Sequence, residues 1–287
     1  MIPAEQRLRL AHATIQYVAD ELGARALHVK GPALHSSLLH RDADGNPQPR
    51  ISSDADVLID PRHARAVFRR LQQVGWHRYA TFATGSPFGH AATVWHDQLG
   101  YADIHRKFPG IGIPDGAAFD AMWRDRQFIA LGHRVCPVPS VEHQRFLLLL
   151  HSARSAARGQ PDVDVAWRDA SDEDRRRTRE VAAQFDAELP LAAAIGELDR
   201  YRGNRRYALW AQFSSDAPVS RSAEWRARLL AASTPVDAAK IALRSMLVNT
   251  DHLAVKLGHA PSRMEMFRAW IDRFRRAVDE NVHKERS

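Results

Sequence analysis

The sequence predicts an α+β fold: a small mixed or antiparallel sheet with flanking helices over residues 1–138, followed by an all-helical C-terminal lobe over 139–287. Three observations carry that prediction. Up to about residue 108, short β-branched and apolar runs bounded by Gly, Pro and Asp alternate with helical stretches. From about Ser140 onward the apolar residues recur only at helical spacing. The 287 residues, 45% of them hydrophobic and seven of them Trp, are enough to bury a sizeable core in two lobes.

Leu8, Ala11, Ile15, Val18, Ala19 and Leu22 fall on one helical face, and Gly23 follows where a left-handed residue is favoured. Ala26-Leu27-His28-Val29-Lys30-Gly31 reads as a short strand ended by the turn at Gly31-Pro32. His35 to Leu39 is expected as a short helix. Arg41-Asp42-Ala43-Asp44-Gly45-Asn46-Pro47-Gln48-Pro49 is dense in turn formers and is expected as a loop. It feeds the strand in Ile51-Ser52-Ser53-Asp54-Ala55-Asp56-Val57-Leu58-Ile59-Asp60. There, alternation puts Asp54 and Asp56 on one face while Val57 and Ile59 point into a core.

Asp60-Pro61-Arg62 offers an N-cap with Pro at the first helical position. Ala64, Val67, Phe68, Leu71 and Val74 then form an apolar stripe closed by Gly75. Residues 76–84 and 91–95 read as strands around the turn Gly85-Ser86-Pro87-Phe88-Gly89. Leu99 to Phe108 reads as another strand, with Tyr101, Asp103 and His105 on one face and Ala102 and Ile104 on the other. Ser140 caps a helix that runs through Phe146-Leu147-Leu148-Leu149-Leu150-His151. Further helices are expected at 171–187, 189–200, 222–232, 235–257 and 262–283.

Composition narrows the function. Lys and Arg total 41 against 34 Asp and Glu, a net charge of +7, which favours an anionic partner without separating nucleic acid from nucleotide or acidic protein. Arg175-Arg176-Arg177-Arg179, Arg202-Arg205-Arg206 and Arg273-Arg275-Arg276 could track phosphates. Helix solvation and pairing with Glu and Asp one turn away is the preferred reading. The single cysteine, Cys136, rules out an internal disulfide and a cysteine zinc cluster, and the 15 histidines include no His-Glu-x-x-His. No P-loop occurs, and no Gly-x-Gly-x-x-Gly follows a strand. The serine of Gly85-Ser86-Pro87-Phe88-Gly89 is not central, so no nucleophile elbow is expected. Met1-Ile2-Pro3-Ala4-Glu5 does not open a secretory signal, and no run approaches the roughly 20 apolar residues of a membrane span. A cytoplasmic protein without a membrane partner is expected.

Two carboxylates two residues apart on a strand are oxygen donors of the kind a hard cation such as Mg²⁺ prefers. Alone, an Asp-x-Asp is more often a solvated strand end. Lys30-Gly31 as a strand terminus, the apolar run after Asp56 and the later Asp103-Ile104-His105 shift the reading to a metal-dependent site. His105 either orients Asp103 or faces solvent, and His151 reads as a core or interface histidine.

The order Lys30-Gly31, Arg50, Ser53-Asp54-Ala55-Asp56-Val57-Leu58-Ile59, a helix ending near Gly75-Trp76, then Tyr101-Ala102-Asp103-Ile104-His105, resembles the polymerase-β-type nucleotidyltransferase superfamily. Within it, the chain is most similar to a bacterial "nucleotidyltransferase family protein" group with a Lys-Gly strand end, an Arg-x-x-x-Asp-x-Asp strand and a later Asp-x-His. The likeness covers about residues 26 to 108. It implies transfer of a nucleoside monophosphate from an NTP, ATP among the candidates, to a hydroxyl acceptor with release of pyrophosphate. Mg²⁺ is the implied cofactor and Mn²⁺ the alternative ion.

On that resemblance Asp54, Asp56 and Asp103 are the catalytic residues and the metal ligands of a two-metal displacement, and Asp103 helps deprotonate the acceptor. Lys30, Gly31, Arg50, Ser53 and His105 are implied to bind the nucleotide. Lys30 and Gly31 stand where the superfamily usually carries Gly-Ser or Gly-Gly, and the spacing from Gly31 to Asp54 is longer than its commonest form. The glycine keeps the close approach of backbone N–H to phosphate, and the lysine becomes a phosphate clamp. The helical lobe is expected to close the cleft and recognise the acceptor, which the sequence leaves open among RNA, protein, peptide and small molecule. It leaves the oligomeric state open as well. The alternative is a catalytically silent nucleotide- or RNA-binding module on the same scaffold. Asp54→Ala or Asp56→Ala is expected to end transfer and leave the fold intact, because the carboxylates repel one another without metal.

Overall fold

The alternating run after Ser53 forms strand β2 (Asp54–Ile59), second in a five-stranded mixed sheet. The computed structural model describes residues 2–50, 52–84, 88–155, 161–215, 221–232, 234–246, 250–257, 259 and 261–284. Ile51 and the Gly85-Ser86-Pro87 part of the expected turn lie outside the described residues. The other strands are β1 (Ala26–Val29), β3 (His77–Ala80), β4 (Ala91–His96) and β5 (Gly100–His105), in the order β1-β2-β5-β4-β3. One parallel pair, β2 with β5, lies between antiparallel neighbours, and helix α2 (Ala64–Gln73) is part of its crossover.

The two faces of β2 have different fates, as the period of two requires. Ala55, Val57 and Ile59 join Ala102 and Ile104 of β5 in a core with helix α1 (Ala4–Glu21) and α2, through Ile15, Val18, Val67 and Leu71. Burying an aliphatic side chain of this size contributes roughly 1.5–3 kcal/mol, so this face fixes the register against a one-residue slip. On the opposite face Leu27, Val29 and Leu58 pack in a second cluster with Phe146 to Leu150 and Phe185. That cover does not extend over the beginning of β2, where Asp54 and Asp56 leave the same face.

Several boundaries differ from expectation for local reasons. β1 stops at Val29, because Lys30 and Gly31 take positive φ values of 60° and 50° and leave the extended region. Helix α2 starts at Ala64 rather than at Pro61. The buried Asp60 carboxylate accepts from the Arg62 backbone N–H at 3.0 Å and from Arg25 at 2.7 Å, which pins residues 60–62 as a turn. Helix α3 (Asp115–Arg124) and the hairpin of β6 (Gln127–Leu131) with β7 (Arg134–Val138) were not expected. The hairpin turns on Gly132-His133 with φ of 54° and 64°, the backbone of a type I′ loop written without its usual Asn-Gly.

Helix α4 (Val141–Ser152) begins as expected, with Ser140 Oγ accepting from the His143 N–H. The helical part continues through a π-helical segment (Asp164–Arg168), α5 (Asp172–Gln184), α6 (Glu188–Ile195), a 3₁₀ turn (Leu198–Tyr201) and α7 (Tyr207–Phe213). After these come α8 (Arg221–Leu230), α9 (Pro235–Met246), α10 (Thr250–Leu257) and α11 (Arg263–Lys284). The helix expected over 189–200 ends at Ile195 because Gly196 caps it at φ 81°. The one expected over 235–257 is described as two, α9 and α10, and residues 247–249 lie outside the described part. Among the described residues no helix is long and apolar enough to cross a membrane.

Candidate functional site

Parallel pairing of β2 with β5 sets Asp56 directly opposite Asp103 and Asp54 opposite Tyr101. Directly paired residues share a face, so Asp54, Asp56, Asp103 and His105 all leave the sheet on one side. They line a cavity of about 280 Å³ together with Lys30, Arg50, Ser52, Ser53, His90, His151 and Arg154. The strands therefore bring the three carboxylates together.

Their electrostatic situations differ. Burial, then the negative charges of Asp56 and Asp103, raise the pKa of Asp54. Asp56 is only 4% exposed, and its burial also opposes ionisation. The opposition is outweighed by the Lys30 ammonium at 3.0 Å and the His105 ring Nε2 at 2.7 Å, both on Oδ1, which hold the carboxyl well below the usual carboxylate range. Asp103 Oδ1 accepts from Thr93 Oγ1 at 2.6 Å. Asp56 and Asp103 with His105 can each place one ligand atom within 4.8 Å of the others. Clustered carboxylate oxygens beside one imidazole fit Mg²⁺ or Mn²⁺.

Two expectations are corrected here. His105 bonds to Asp56 rather than orienting Asp103, and it is buried rather than facing solvent. Asp56 is not a carboxylate awaiting relief from repulsion; it is the centre of a buried ion-pair network, so its removal is expected to cost stability. The repelled member is Asp54.

Lys30 owes its position to an unusual backbone. Its φ of 60° with ψ of −175° is a region that belongs essentially to glycine, at a cost of about 1–3 kcal/mol for any other residue. The side chain is buried against Asp56. Gly31 follows with φ of 50°, and a Cβ there would meet Ser52 Cβ at 3.3 Å. Gly31 lines a neighbouring cavity of about 350 Å³, walled largely by Leu8, Pro32, Leu34, Leu39, Pro47 and Pro49, which shares Arg50 and Ser52 with the acidic one. Arg50 reaches both cavities, its guanidinium held by Asp162 through bonds of 3.0 and 2.9 Å. Ser53 is exposed and donates to Asp54 Oδ1 at 3.2 Å.

Sequence reasoning missed the opposite wall. His151, read as a core or interface histidine, lines the acidic cavity from the end of α4, with Arg154 just beyond it. Burial, then the charges of Lys30 and Arg154, bring the His151 pKa down to about 3. Burial, then His105 and Arg154, bring that of His90 down to about 2. Burial also lowers Arg154 to about 10, partly opposed by Asp56, and among the described residues no carboxylate lies within ion-pair distance of its guanidinium. Nothing local in the sequence marks Arg154; only the packing of α4 on the sheet brings it here. Thr93 could have been found by pairing β4 with β5, where it stands opposite Asp103. The result is an acidic floor under a basic wall, suited to an anion that also chelates a divalent cation.

Many of the surface arginines pair with acids, some one turn away as in the preferred reading and others across the fold. Arg176 pairs with Glu173 and Glu180, Arg177 with Glu173 and Glu142, Arg179 with Glu197, Arg175 with Asp172, Arg202 with Asp199 and Arg206 with Asp186. The side chains of Arg273 and Arg276 lie outside the described part.

No protein-family model matches the chain, and no curated protein matches it. Among solved structures, a lincosamide antibiotic adenylyltransferase, LnuA, with lincomycin bound is similar at 18% identity and a TM-score of 0.34, over 60% of this chain and 94% of that one. A score that low carries neither fold nor site from one chain to the other.

Proposed function

We propose that this protein is a Mg²⁺-dependent nucleotidyltransferase that moves a nucleoside monophosphate from an NTP to a hydroxyl acceptor and releases pyrophosphate. The observation that supports this most is the convergence of Asp54, Asp56 and Asp103 in one cavity, faced by Lys30 and by the guanidinium of Arg154, which pairs with no carboxylate among the described residues. Asp54, Asp56 and Asp103 would hold Mg²⁺ or Mn²⁺, which when bound would supply neutralisation of charge on the attacking and leaving oxygens of an in-line displacement. Arg154 and Lys30 balance the phosphate charge, with Arg50 and Ser53 lining the same cavity and Gly31 lining the neighbouring one. His105 fixes the Asp56 carboxylate by its 2.7 Å bond.

The acceptor oxygen forms a bond to the α-phosphorus as the bond from that phosphorus to the bridging oxygen breaks. Pyrophosphate leaves with the electron pair. The acceptor proton passes to Asp103, whose Oδ1 is already held by Thr93. In this reading residues 1–138 carry the transfer chemistry, and 139–287 supply the basic wall, close the cleft and meet the acceptor.

The test is thermal unfolding of the full chain with MgCl₂ and each NTP in turn. A nucleotide that binds only the folded state adds about 2.7 kcal/mol at one hundred times its dissociation constant. Stabilisation that requires both an NTP and the metal supports the proposal, and release of pyrophosphate separates an enzyme from a silent binding module. No stabilisation by any NTP with metal refutes it.

A further inference from the structure

Asp56 Oδ1 already has two partners, Lys30 Nζ at 3.0 Å and His105 Nε2 at 2.7 Å. Those two bonds fill the in-plane lone pairs of that oxygen. Oδ2 takes no hydrogen bond among the described residues, and it belongs to a carboxylate that lines the cavity. A carboxylate that bridges two ions about 4 Å apart gives one oxygen to each. Asp56 in this chain has one oxygen to give.

The lysine that fills the other oxygen is held there by its own backbone. Lys30 adopts φ of 60° and ψ of −175°, is 8% exposed, and is followed by a glycine at φ of 50°. Glycine at position 30 would relieve the backbone and forfeit the ammonium; the chain carries lysine instead. Strain kept at a site that over-determines it points to function. A second divalent ion on Asp56 would also have to approach this ammonium on a shared carboxylate, against like-charge repulsion in a buried setting. Resting on the metal-dependent reading above, we infer that the Lys30 ammonium is a resident cation standing in one of the two metal positions. The chain therefore takes one divalent ion with its nucleotide, where the superfamily it resembles implies two. Of the cations facing this cluster, Arg50 is matched by Asp162, which leaves Lys30 and Arg154 against three carboxylates, a net charge that one divalent ion reverses.

The experiment counts manganese. The full chain is mixed with Mn²⁺ and the α,β-methylene analogues of the four common NTPs in turn. The complex is retained by ultrafiltration, and metal and nucleotide per chain are measured against a control without nucleotide. The expected result is one Mn²⁺ per nucleotide-bound wild-type chain and two per Lys30→Gly chain; the glycine accepts this backbone, and Lys30→Met serves as a second charge-free variant. Two ions on the wild type would overturn the inference and leave the metal-dependent reading standing. One ion on the wild type and on both variants would overturn the role given to Lys30. No nucleotide-dependent Mn²⁺ on the wild type would overturn the reading beneath it and the inference together. The wild-type count decides between one and two even if neither variant folds.

Discussion

Asp54 and Asp56 are two residues apart on one strand face, yet their removal should have opposite effects on stability. Asp56→Ala strands the Lys30 ammonium, 8% exposed, and takes the 2.7 Å partner from His105, whose Nδ1 is already buried without a hydrogen bond among the described residues. Deleting one member of a buried ion pair costs about 3–5 kcal/mol, because the other is left charged and dry. At this chain length each kcal/mol corresponds to about 2 °C, so Asp56→Ala should lower Tm by roughly 6–10 °C. Asp54 is disfavoured as a charge by burial and by its acidic neighbours, so Asp54→Ala should leave Tm unchanged or raise it. The assay is thermal unfolding by circular dichroism at pH 7 in EDTA. The double variant Lys30→Met with Asp56→Leu removes both charges and should regain most of the loss. Equal shifts for Asp54→Ala and Asp56→Ala would refute the ion-pair account of Asp56.

Three further outcomes follow from other parts of the structure. Gly31→Ala forces a side chain into φ of 50° with Ser52 Cβ at 3.3 Å, and should lower stability by about 1–2 kcal/mol; an unchanged urea midpoint would contradict the strained turn. His12 is fully buried, and burial, partly opposed by Asp56, lowers its pKa from 6.5 to about 4. Between those values the unfolded chain binds the extra proton, so His12 costs stability as pH falls from 6.5 to 4, up to ~3 kcal/mol, and adds no further slope below. His12→Gln should make the urea midpoint fall less steeply across that window, the slope that remains coming from other buried histidines such as His28, His90 and His151, and identical slopes would show the group is not buried as a neutral ring. Arg154→Met removes a guanidinium that no described carboxylate pairs. It should weaken nucleotide binding by about 1.5–3 kcal/mol in a thermal-shift titration without lowering the stability of the free chain. Unchanged nucleotide affinity would take Arg154 out of the site.

What could be read in the sequence was what is local. The period of two in β2 and β5 fixed which side chains share a face, because Ala55, Val57, Ile59, Ala102 and Ile104 all have to enter the α1–α2 core. The pairing of arginines with acids one turn away in α5 was legible for the same reason. Partners set by tertiary packing were not. His105 could be placed on the acidic face but not assigned to Asp56, which depends on the parallel register of β2 with β5. His151 and Arg154 reach the cavity only through the angle at which α4 meets the sheet. The start of α2 was displaced by Arg25, remote in sequence, clamping Asp60. The β6–β7 hairpin was hidden because its turn places a histidine where Asn or Gly would announce a left-handed residue. Lys30 was legible as a cation of the candidate site, and it lines the acidic cavity, but its backbone strain was not, since lysine is not a residue that signals positive φ.

The central claim is that Asp54, Asp56 and Asp103 support transfer of a nucleotidyl group, and labelled phosphate tests it most directly. Purified protein, Mg²⁺ and cell extract are incubated with each NTP labelled at the α position and, in parallel, at the γ position. The account predicts that α label moves into an acceptor, that γ label leaves as pyrophosphate, and that Asp54→Ala abolishes both. Label entering the acceptor from the γ position, or α transfer that persists in Asp54→Ala, would contradict it.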